Sequence, residues 1–278
     1  MLRINAYHPR FNYLILLCLV LLSACTHISR HDGPPDYYVD AAKVPNAIPK
    51  AEPQSKYGNP RTYSVFGKRY YTMKSSKNYE AVGIASWYGT KFHKQRTSSG
   101  ERYNMLAMTA AHKTLPLPTY AEVTNLQNHR SVIVKINDRG PFEGNRIIDL
   151  SYVAAKKLGV TGRGTALVKV KAIDPVAYWN TYASTEKSSH HFYAPKAPHK
   201  QAVYLQVGAF RDRLHAEKLK NRLENYISAP INIAHTQQTK KGLYRVQIGP
   251  IKDAATATKI NHRLKLIGLK GSTLAMSR

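Results

Sequence analysis

Cysteine is nearly absent from this chain, which has two, Cys18 and Cys25, in 278 residues. No residue beyond position 25 can therefore form a disulfide within the chain or give a thiolate to a zinc site. Histidine is more frequent, but no HExxH motif occurs, and the adjacent pair His190-His191 lies in a loop-like segment. We therefore predict neither a metal site nor a cofactor.

The chain also lacks an apolar run long enough to cross a bilayer, which takes roughly 20 residues. A shorter run, Tyr13–Leu22, follows a basic N-terminus and leads into Leu-Ser-Ala-Cys at positions 22–25. This arrangement resembles the lipobox of bacterial lipoproteins. The resemblance implies a signal peptide over residues 1–24 and lipidation (thioether and palmitate) of Cys25, which would anchor the chain in a membrane. Because Thr26 rather than Asp follows, it also implies the outer membrane of a Gram-negative cell.

Acidic residues are scarce, since 16 Asp and Glu stand against 42 Lys and Arg and leave a net charge of +26. A balance this basic often indicates nucleic-acid binding. An exported lipoprotein meets no genome, so we expect no nucleic-acid partner. The charge instead indicates attraction to the anionic cell envelope, including the carboxylates of peptidoglycan.

Composition divides the chain into several stretches. After the signal peptide, a segment rich in Pro, Lys, Tyr, Asn and Ser predicts a flexible tether, with local order around Tyr63–Met73. The predicted stretches are a lipidated tether over 25–78, a β-rich domain over 79–175, a flexible linker over 176–200 and a C-terminal domain over 201–278.

Short strands dominate the β-rich domain, as in the β-branched run Ser131-Val-Ile-Val-Lys-Ile. One helix stands out, with Ser151 as a good N-cap and Gly159 at its end. Short strands with one short helix predict a compact β-barrel. The predicted strands are Val82–Tyr88, Tyr120–Leu126, Ser131–Asn137 and Ala166–Ile173.

The C-terminal domain contains an internal repeat with a period of 41 residues, because Gln206-Val-Gly-Ala-Phe recurs as Gln247-Ile-Gly-Pro-Ile. Each unit reads strand, glycine turn, amphipathic helix and strand, which predicts an α+β, ferredoxin-like βαββαβ fold. Strand alternation places Tyr204, Gln206, Arg245 and Gln247 on the open face of the sheet. An aromatic ring and amides suit a sugar, although a sheet face is often polar simply because it is solvated.

Residues 203–278 resemble a SPOR domain through the motifs Q-V-G-A-F and Q-I-G-P. The resemblance implies binding to glycan strands that have lost their stem peptides, at division sites. It makes the four open-face residues the expected contacts with the glycan.

The stretch from Gly83 to Ile173 resembles the double-psi β-barrel of the rare lipoprotein A family, which is related to expansins and to membrane-bound lytic transglycosylase A. The resemblance implies a six-stranded barrel. It also implies endolytic cleavage of peptide-free peptidoglycan strands that leaves 1,6-anhydro-muramic acid ends during septal wall processing, with divisome proteins as further partners. The resembling segments, in family order, are Ala85-Ser-Trp-Tyr-Gly-Thr-Lys-Phe-His, Thr97-Ser-Ser-Gly-Glu-Arg-Tyr-Asn, Thr109-Ala-Ala-His-Lys-Thr-Leu-Pro, Val134-Lys-Ile-Asn-Asp-Arg-Gly-Pro-Phe and Arg146-Ile-Ile-Asp-Leu-Ser.

Cleavage of a glycosidic bond needs a protonated acid at the leaving oxygen, and the barrel offers few candidates. Glu101 follows a Ser-Ser-Gly turn, and Asp138, Asp149 and His112 lie at predicted element ends. Each of the four also has a purely structural explanation. Glu101 can be a solvated turn residue, Asp138 a turn cap and Asp149 a partner of the helix dipole. His112 can be a packed core histidine. The resemblance implies that Glu101 and His112 match positions associated with activity. It matches Asp138 and Asp149 to the paired aspartates of expansin-like barrels, the second corresponding to the transglycosylase acid.

One residue departs from the family pattern, because Asn104 stands where G-E-x-Y-D usually has its Asp. An amide cannot transfer a proton at neutral pH, so a catalytic Asp here would leave the chain weakened or able only to bind glycan. If that Asp merely hydrogen-bonds substrate or backbone, Asn can replace it. The rival hypotheses are thus a non-catalytic peptidoglycan-binding lipoprotein and an expansin-like or hydrolytic wall-loosening module.

Overall fold

Alternation of buried and open side chains builds a closed barrel of six strands. The structure is a computed structural model, and it describes residues 32–186, 202–236, 242–269 and 271–276. Along Ser131–Asp138 the β-branched side chains alternate between the barrel interior and its outside, as a period of two requires. The barrel strands are β3 (Glu80–Tyr88), β4 (Thr109–His112), β5 (Thr119–Asn125), β6 (Ser131–Asp138), β7 (Arg146–Ser151) and β8 (Ala166–Ala172).

The strand order around the barrel is β3-β7-β4-β6-β5-β8. The β3–β7 and β4–β6 pairs are parallel, and the other pairs are antiparallel. The short strand β4 therefore lies between β6 and β7, and its Ala111 is the register partner of both Asp138 and Asp149. The six-stranded barrel is confirmed, and its order brings together residues that are far apart in the chain.

One short helix, α1 (Tyr152–Leu158), follows β7 and closes one side of the barrel. Ser151 Oγ accepts a hydrogen bond from Ala154 N at 3.3 Å, as an N-cap does. The helix ends at Gly159, whose φ of +76° is in the left-handed region that favours glycine. Both predicted helix boundaries are confirmed.

The segment before the barrel differs from the predicted tether over 25–78. From Gly33 onward it lies on the barrel wall, where Ala47 N donates to Ile133 O at 3.0 Å and Ser55 N donates to Leu117 O at 2.7 Å. Val39 and Ala41 are buried in the barrel core. Composition did not reveal this, because backbone amides make many of the contacts and the buried apolar residues are few and irregularly spaced. For residues 33–78, the expectation of a tether is therefore corrected.

A two-stranded hairpin occupies part of this segment, where the sequence predicted only local order. Its strands are β1 (Thr62–Val65) and β2 (Lys68–Tyr71). The turn residues Phe66 and Gly67 have φ of +49° and +71°, and such a turn matches the twist of the two strands.

The C-terminal repeat forms a sheet of order β10-β11-β9-β12, with two helices packed on one face. The matched residues Asp212 and Asp253 cap the two helices, accepting from Leu214 N at 2.9 Å and from Thr256 N at 2.7 Å. The predicted βαββαβ fold is confirmed. Its elements are β9 (Val203–Phe210), α3 (Arg213–Glu224), β10 (Ile231–Thr236), β11 (Leu243–Ile248), α4 (Ala254–Leu266) and β12 (Thr273–Met276).

Between the two domains, α2 (Pro175–Glu186) occupies the start of the predicted 176–200 linker. Its Trp179 Nε1 donates to Pro49 O at 2.8 Å, which ties the helix to the N-terminal segment. The rest of the linker, residues 187–200, lies outside the described residues.

Candidate active site

Asp149 is a carboxylic acid set into the barrel wall on β7. Its side chain is 17% exposed, and its Oδ1 accepts a hydrogen bond from Ser86 Oγ on the neighbouring β3. The Arg146 guanidinium is near, with Nε 3.9 Å from Oδ1. Burial raises the pKa of Asp149 despite the hydrogen bond from Ser86 and the charge of Arg146, which lower it. A raised pKa is the direction of shift that the carboxyl of a general acid requires.

Asp138 ends β6 and is held by a loop. Its Oδ1 accepts from Ser98 N at 2.8 Å, from Ser98 Oγ at 2.7 Å and from Arg139 N at 2.7 Å. The contact with Arg139 thus uses the backbone of that residue, whose guanidinium instead donates to Gly58 O and Leu115 O. These hydrogen bonds fix the orientation of the Asp138 carboxylate.

The two aspartates lie on either side of one strand. Both are register partners of Ala111 on β4, so their Cα atoms are separated by two interstrand spacings, about 10 Å. Both also interact with the Tyr88 hydroxyl, whose pKa is raised by burial and then by Tyr103, Asp138 and Asp149. Because both aspartates pair with the same residue of β4, they lie at the same level of the barrel.

Glu101 joins this end of β6 from a loop, as predicted for a turn-borne carboxylate. Its Oε2 accepts from Asn137 Nδ2 at 2.6 Å, beside Asp138, and its Oε1 is 3.0 Å from Lys135 Nζ. The side chain is 45% exposed. The structure therefore brings Glu101 close to Asp138, but both of its oxygens are engaged by donors, which suits a carboxylate better than a proton-donating acid.

His112 is positioned inside the barrel wall. Its Nδ1 accepts from Thr114 N at 3.2 Å and Leu115 N at 3.1 Å, so the proton is assigned to Nε2, which lies 2.9 Å from Tyr79 Oη. Burial, with the nearby charge of Arg139, lowers the pKa of His112 to about 3. The ring is neutral near pH 7 and both nitrogens are engaged. These contacts are those expected of a packed core histidine, and they occupy both ring nitrogens, so the predicted link between His112 and activity stays a prediction.

Asn104 accepts a hydrogen bond from Leu106 N, two residues on, at 3.0 Å. This closes a local side-chain turn, which the oxygen of Asp or Asn makes equally well. The observed contact is thus of the backbone-supporting kind in which Asn can replace Asp.

A cavity of about 280 Å³ lies beside Asp138, between the β1–β2 hairpin and the loop after β6. Its lining includes Ser98 and Arg139. Both residues donate hydrogen bonds to the Asp138 carboxylate, Ser98 from its hydroxyl and backbone amide and Arg139 from its backbone amide. We name it the hairpin cavity. Its lining residues are Gly58, Pro60, Tyr63, Val65, Ser98, Arg139 and Phe142.

Sequence reasoning missed the residues that surround the two aspartates. Ser86, Ser98 and Arg146 lie within the family-like segments, and their polar side chains beside Asp149 or Asp138 are visible only once the strands are paired. Tyr63 lies in the N-terminal segment, where composition indicated a tether and so gave no signal for a site.

The open face of the C-terminal sheet has the predicted orientation. Leu205, Val246 and Ile248 are buried against the helices, whereas the four predicted contact residues are half-buried on the other face. Gln206 and Gln247 are register partners, and Arg245 Nη1 donates to Gln206 Oε1 at 3.0 Å. The four residues are Tyr204, Gln206, Arg245 and Gln247.

The predicted lipidation position, Cys25, lies outside the described residues. Within the part of the chain that the structure describes, no helix has both the length and the apolar character to cross a membrane.

The fold and the site define a double-psi β-barrel protein with a C-terminal SPOR domain. Residues 80–170 match the family model described as "Lytic transglycolase", and residues 200–274 match that of the SPOR domain.

Curated relatives narrow this class to one family. Endolytic peptidoglycan transglycosylase RlpA of Pseudomonas aeruginosa is 40% identical over 287 residues, covering 87% of this chain and 84% of the relative. The protein of the same name from Neisseria meningitidis is 55% identical over 215 residues, covering 77% of this chain and 83% of the relative. The crystal structure of the RlpA SPOR domain from Pseudomonas aeruginosa is 34% identical, covers 26% of this chain and 96% of that one, and has a TM-score of 0.26. The chain belongs to the RlpA family.

Proposed function

We propose that this chain is an endolytic peptidoglycan transglycosylase that acts on glycan strands freed of stem peptides. The observation that carries the proposal is the half-buried carboxyl of Asp149, which has a raised pKa and lies two strands away from the fixed carboxylate of Asp138. Membership of a family whose relatives bear that name supports it.

The reaction needs no water as nucleophile. Asp149 donates its proton to the oxygen of the leaving sugar, and the bond from that oxygen to C1 of the muramic acid ring breaks. The C6 hydroxyl oxygen of the same ring bonds to C1, and its proton passes to the Asp149 carboxylate, which regenerates the acid. The Asp138 carboxylate, held on the other side of β4, stabilises the positive charge that develops at C1. The products are a strand with a 1,6-anhydro end and a strand with a free C4 hydroxyl.

Glu101 and His112 have supporting parts in this scheme. Glu101, paired with Lys135 and Asn137, keeps the loop that carries Ser98 against the end of β6. His112 fixes the turn after β4 through Thr114 and Leu115. Neither is assigned the proton that cleaves the bond.

The SPOR domain is proposed to hold the strand on its open face. Gln206, Arg245 and Gln247 offer amide and guanidinium groups to sugar hydroxyl and acetamido groups, and Tyr204 offers a ring for contact with the pyranose. Binding there would raise the local concentration of strand at the barrel by linking two sites in one chain.

The lipobox-like sequence supports attachment to the outer membrane through Cys25, on the periplasmic side, with enrichment at the septum by the SPOR domain. Divisome proteins are the remaining proposed partners. The resemblance of the sequence to lipoproteins, SPOR domains and the family supports the membrane anchor, the septal enrichment and the divisome partners.

The experiment is mass spectrometry of peptide-free glycan strands digested by the purified chain. A transglycosylase leaves 1,6-anhydro ends, a hydrolase leaves reducing ends, and a binding protein leaves the strands intact. Asp149→Asn and Asp138→Asn should each abolish the anhydro products, whereas the matched control Asp212→Asn, in the SPOR domain, should not. The second candidate, a binding protein, follows from Asn104, and intact strands with the wild-type chain would establish it.

A further inference from the structure

Positive charge surrounds Asp149. Arg146 Nη1 donates to Ser86 Oγ at 2.7 Å and its Nε approaches the Asp149 carboxyl. Lys113 Nζ donates to the carbonyl oxygen of Arg146 at 2.5 Å. Arg146 on β7 and Lys113, directly after β4, are thus two cations held next to the proposed acid.

A third cation comes from the hairpin of the N-terminal segment. Lys68 Nζ lies 5.5 Å from the ring centroid of Tyr70, which stacks on Tyr63 with centroids 5.3 Å apart. The Tyr63 hydroxyl donates to Lys113 O at 2.5 Å, which anchors the hairpin beside Lys113. The pKa of Lys113 is lowered by burial and next by the charge of Lys68, so the two ammonium groups act on one another. We name Lys68, Lys113 and Arg146 the cationic subsite.

The charges at this subsite do not balance. Among the described residues, Asp149 is the carboxyl group that lies against Arg146 and acts on Lys113, and Glu143 in turn acts on Asp149. When Asp149 holds the proton that it donates, it no longer offsets the charge of the cations. Like charges held together cost free energy unless an anion joins them, so the subsite favours an incoming anion.

The position of the subsite limits which anion can reach it. The hairpin cavity, about 280 Å³ in volume, is lined by Tyr63, whose hydroxyl also holds Lys113. The subsite and the hairpin cavity thus meet at Tyr63, which contacts both. Because the cations lie next to Asp149, a substrate anion that reaches them must be attached close to the bond that Asp149 protonates.

We propose that the cationic subsite binds the lactyl carboxylate of a muramic acid ring that carries no stem peptide. This inference rests on the proposed function. The lactyl ether is attached at C3 of the ring whose C1 bond breaks, so its carboxylate is close to the reaction centre. With a stem peptide attached, the same carboxyl is an uncharged amide. The barrel itself then selects peptide-free strands, independently of the SPOR domain.

The test uses binding as well as cleavage. N-acetylmuramic acid, its lactyl methylamide and N-acetylmuramyl-L-alanine are titrated into the full chain, with the NMR signals of the aromatic rings in the hairpin as the readout. The methylamide removes the charge, and the alanyl compound moves the carboxylate one residue further away. We expect the parent compound to bind about tenfold more tightly than either, as the loss of one hydrogen bond to a charged group implies.

The variant Lys68→Ala should weaken binding of the parent compound about tenfold and leave the methylamide unaffected. On peptide-free strands it should raise KM with little change in kcat, because its contacts reach the acid only through Lys113. Arg69→Ala is the matched control, since Arg69 is the next residue of β2, removes the same charge and points to the opposite face. It should behave as wild type in both assays.

The outcomes separate the two proposals. Cleavage of peptide-free strands without a preference for the free lactyl carboxylate overturns the subsite and leaves the proposed function standing. A binding preference for the free lactyl carboxylate without any cleavage overturns the proposed function and leaves the subsite standing. Equal affinity for the alanyl compound assigns the charge to a peptide carboxylate and overturns the lactyl assignment. Equal effects of Lys68→Ala and Arg69→Ala reduce the subsite to general attraction between unlike charges.

Discussion

Ser86 offers a direct test of Asp149 as the general acid. Its hydroxyl donates to Asp149 Oδ1 and accepts from Arg146 Nη1. The hydrogen bond stabilises the ionised form of Asp149 and so lowers its pKa against the opposing effect of burial. Ser86→Ala removes it, and the pKa of Asp149 should rise further.

The size of the change follows from the contact. A hydrogen bond to a charged group contributes about 1.5–3 kcal/mol, and one pKa unit corresponds to about 1.4 kcal/mol. Arg146 loses its own partner in the variant and can approach Asp149, which offsets part of the loss. We therefore expect a rise of about one unit.

The assay is the pH profile of kcat/KM for release of 1,6-anhydro ends. A general acid must be protonated, so its ionisation limits the rate on the alkaline side of the profile. Ser86→Ala should move that limb about one unit to higher pH. Arg146→Gln should move it in the same direction, because the lost cation also favoured the carboxylate. Ser86→Thr keeps the hydroxyl and should restore the original position.

An alkaline limb that stays in place in both Ser86→Ala and Arg146→Gln, with circular dichroism unchanged, would refute the assignment. The ionisation that limits the rate would then belong to a group that neither residue touches, and Glu101 would become the next candidate.

Three further predictions concern other parts of the chain. Arg139→Ala should lower the free energy of unfolding in urea by about 3–5 kcal/mol and expose residues 33–78 to protease. The reason is that the guanidinium donates hydrogen bonds to Gly58 O, Asn59 Oδ1, His112 O and Leu115 O. Protection from protease equal to that of the wild type would contradict this. Asn104→Asp should leave the rate of anhydro-end formation unchanged, because either oxygen can accept from Leu106 N, and a silent wild type revived by the change would mean that the lost carboxylate is catalytic. Cys25→Ala should release the chain from the membrane fraction and abolish lipid labelling, and retention through residues 1–24 would instead indicate an uncleaved anchor.

The sequence was most informative where side chains set the structure locally. Alternation along β6 and the caps Ser151 and Gly159 were read correctly, because each depends on residues within a few positions. The 41-residue repeat predicted the second domain, because both of its halves show the same pattern of strand, turn and helix.

The missed parts depend on pairing between distant residues. Strand β4 has four residues, and what makes it central is its position between β6 and β7 rather than its composition. The N-terminal segment is held by hydrogen bonds to its backbone, as from Lys156 Nζ to Val39 O at 2.7 Å. Such contacts leave no periodic pattern of residue types. The contacts of His112 could not be predicted either, because the two amides that occupy its Nδ1 cannot be identified before the turn after β4 is known.

The placement of Asp138 and Asp149 on the two neighbours of β4 has a consequence for how this barrel can evolve. Their spacing is set by backbone hydrogen bonds across a single intervening strand, so insertions or deletions in the connecting loops do not alter it. A different spacing would require a change in strand order, which amounts to a different fold. New specificities can therefore arise by exchange of the surrounding loops and of the added hairpin, while the reactive pair keeps its geometry.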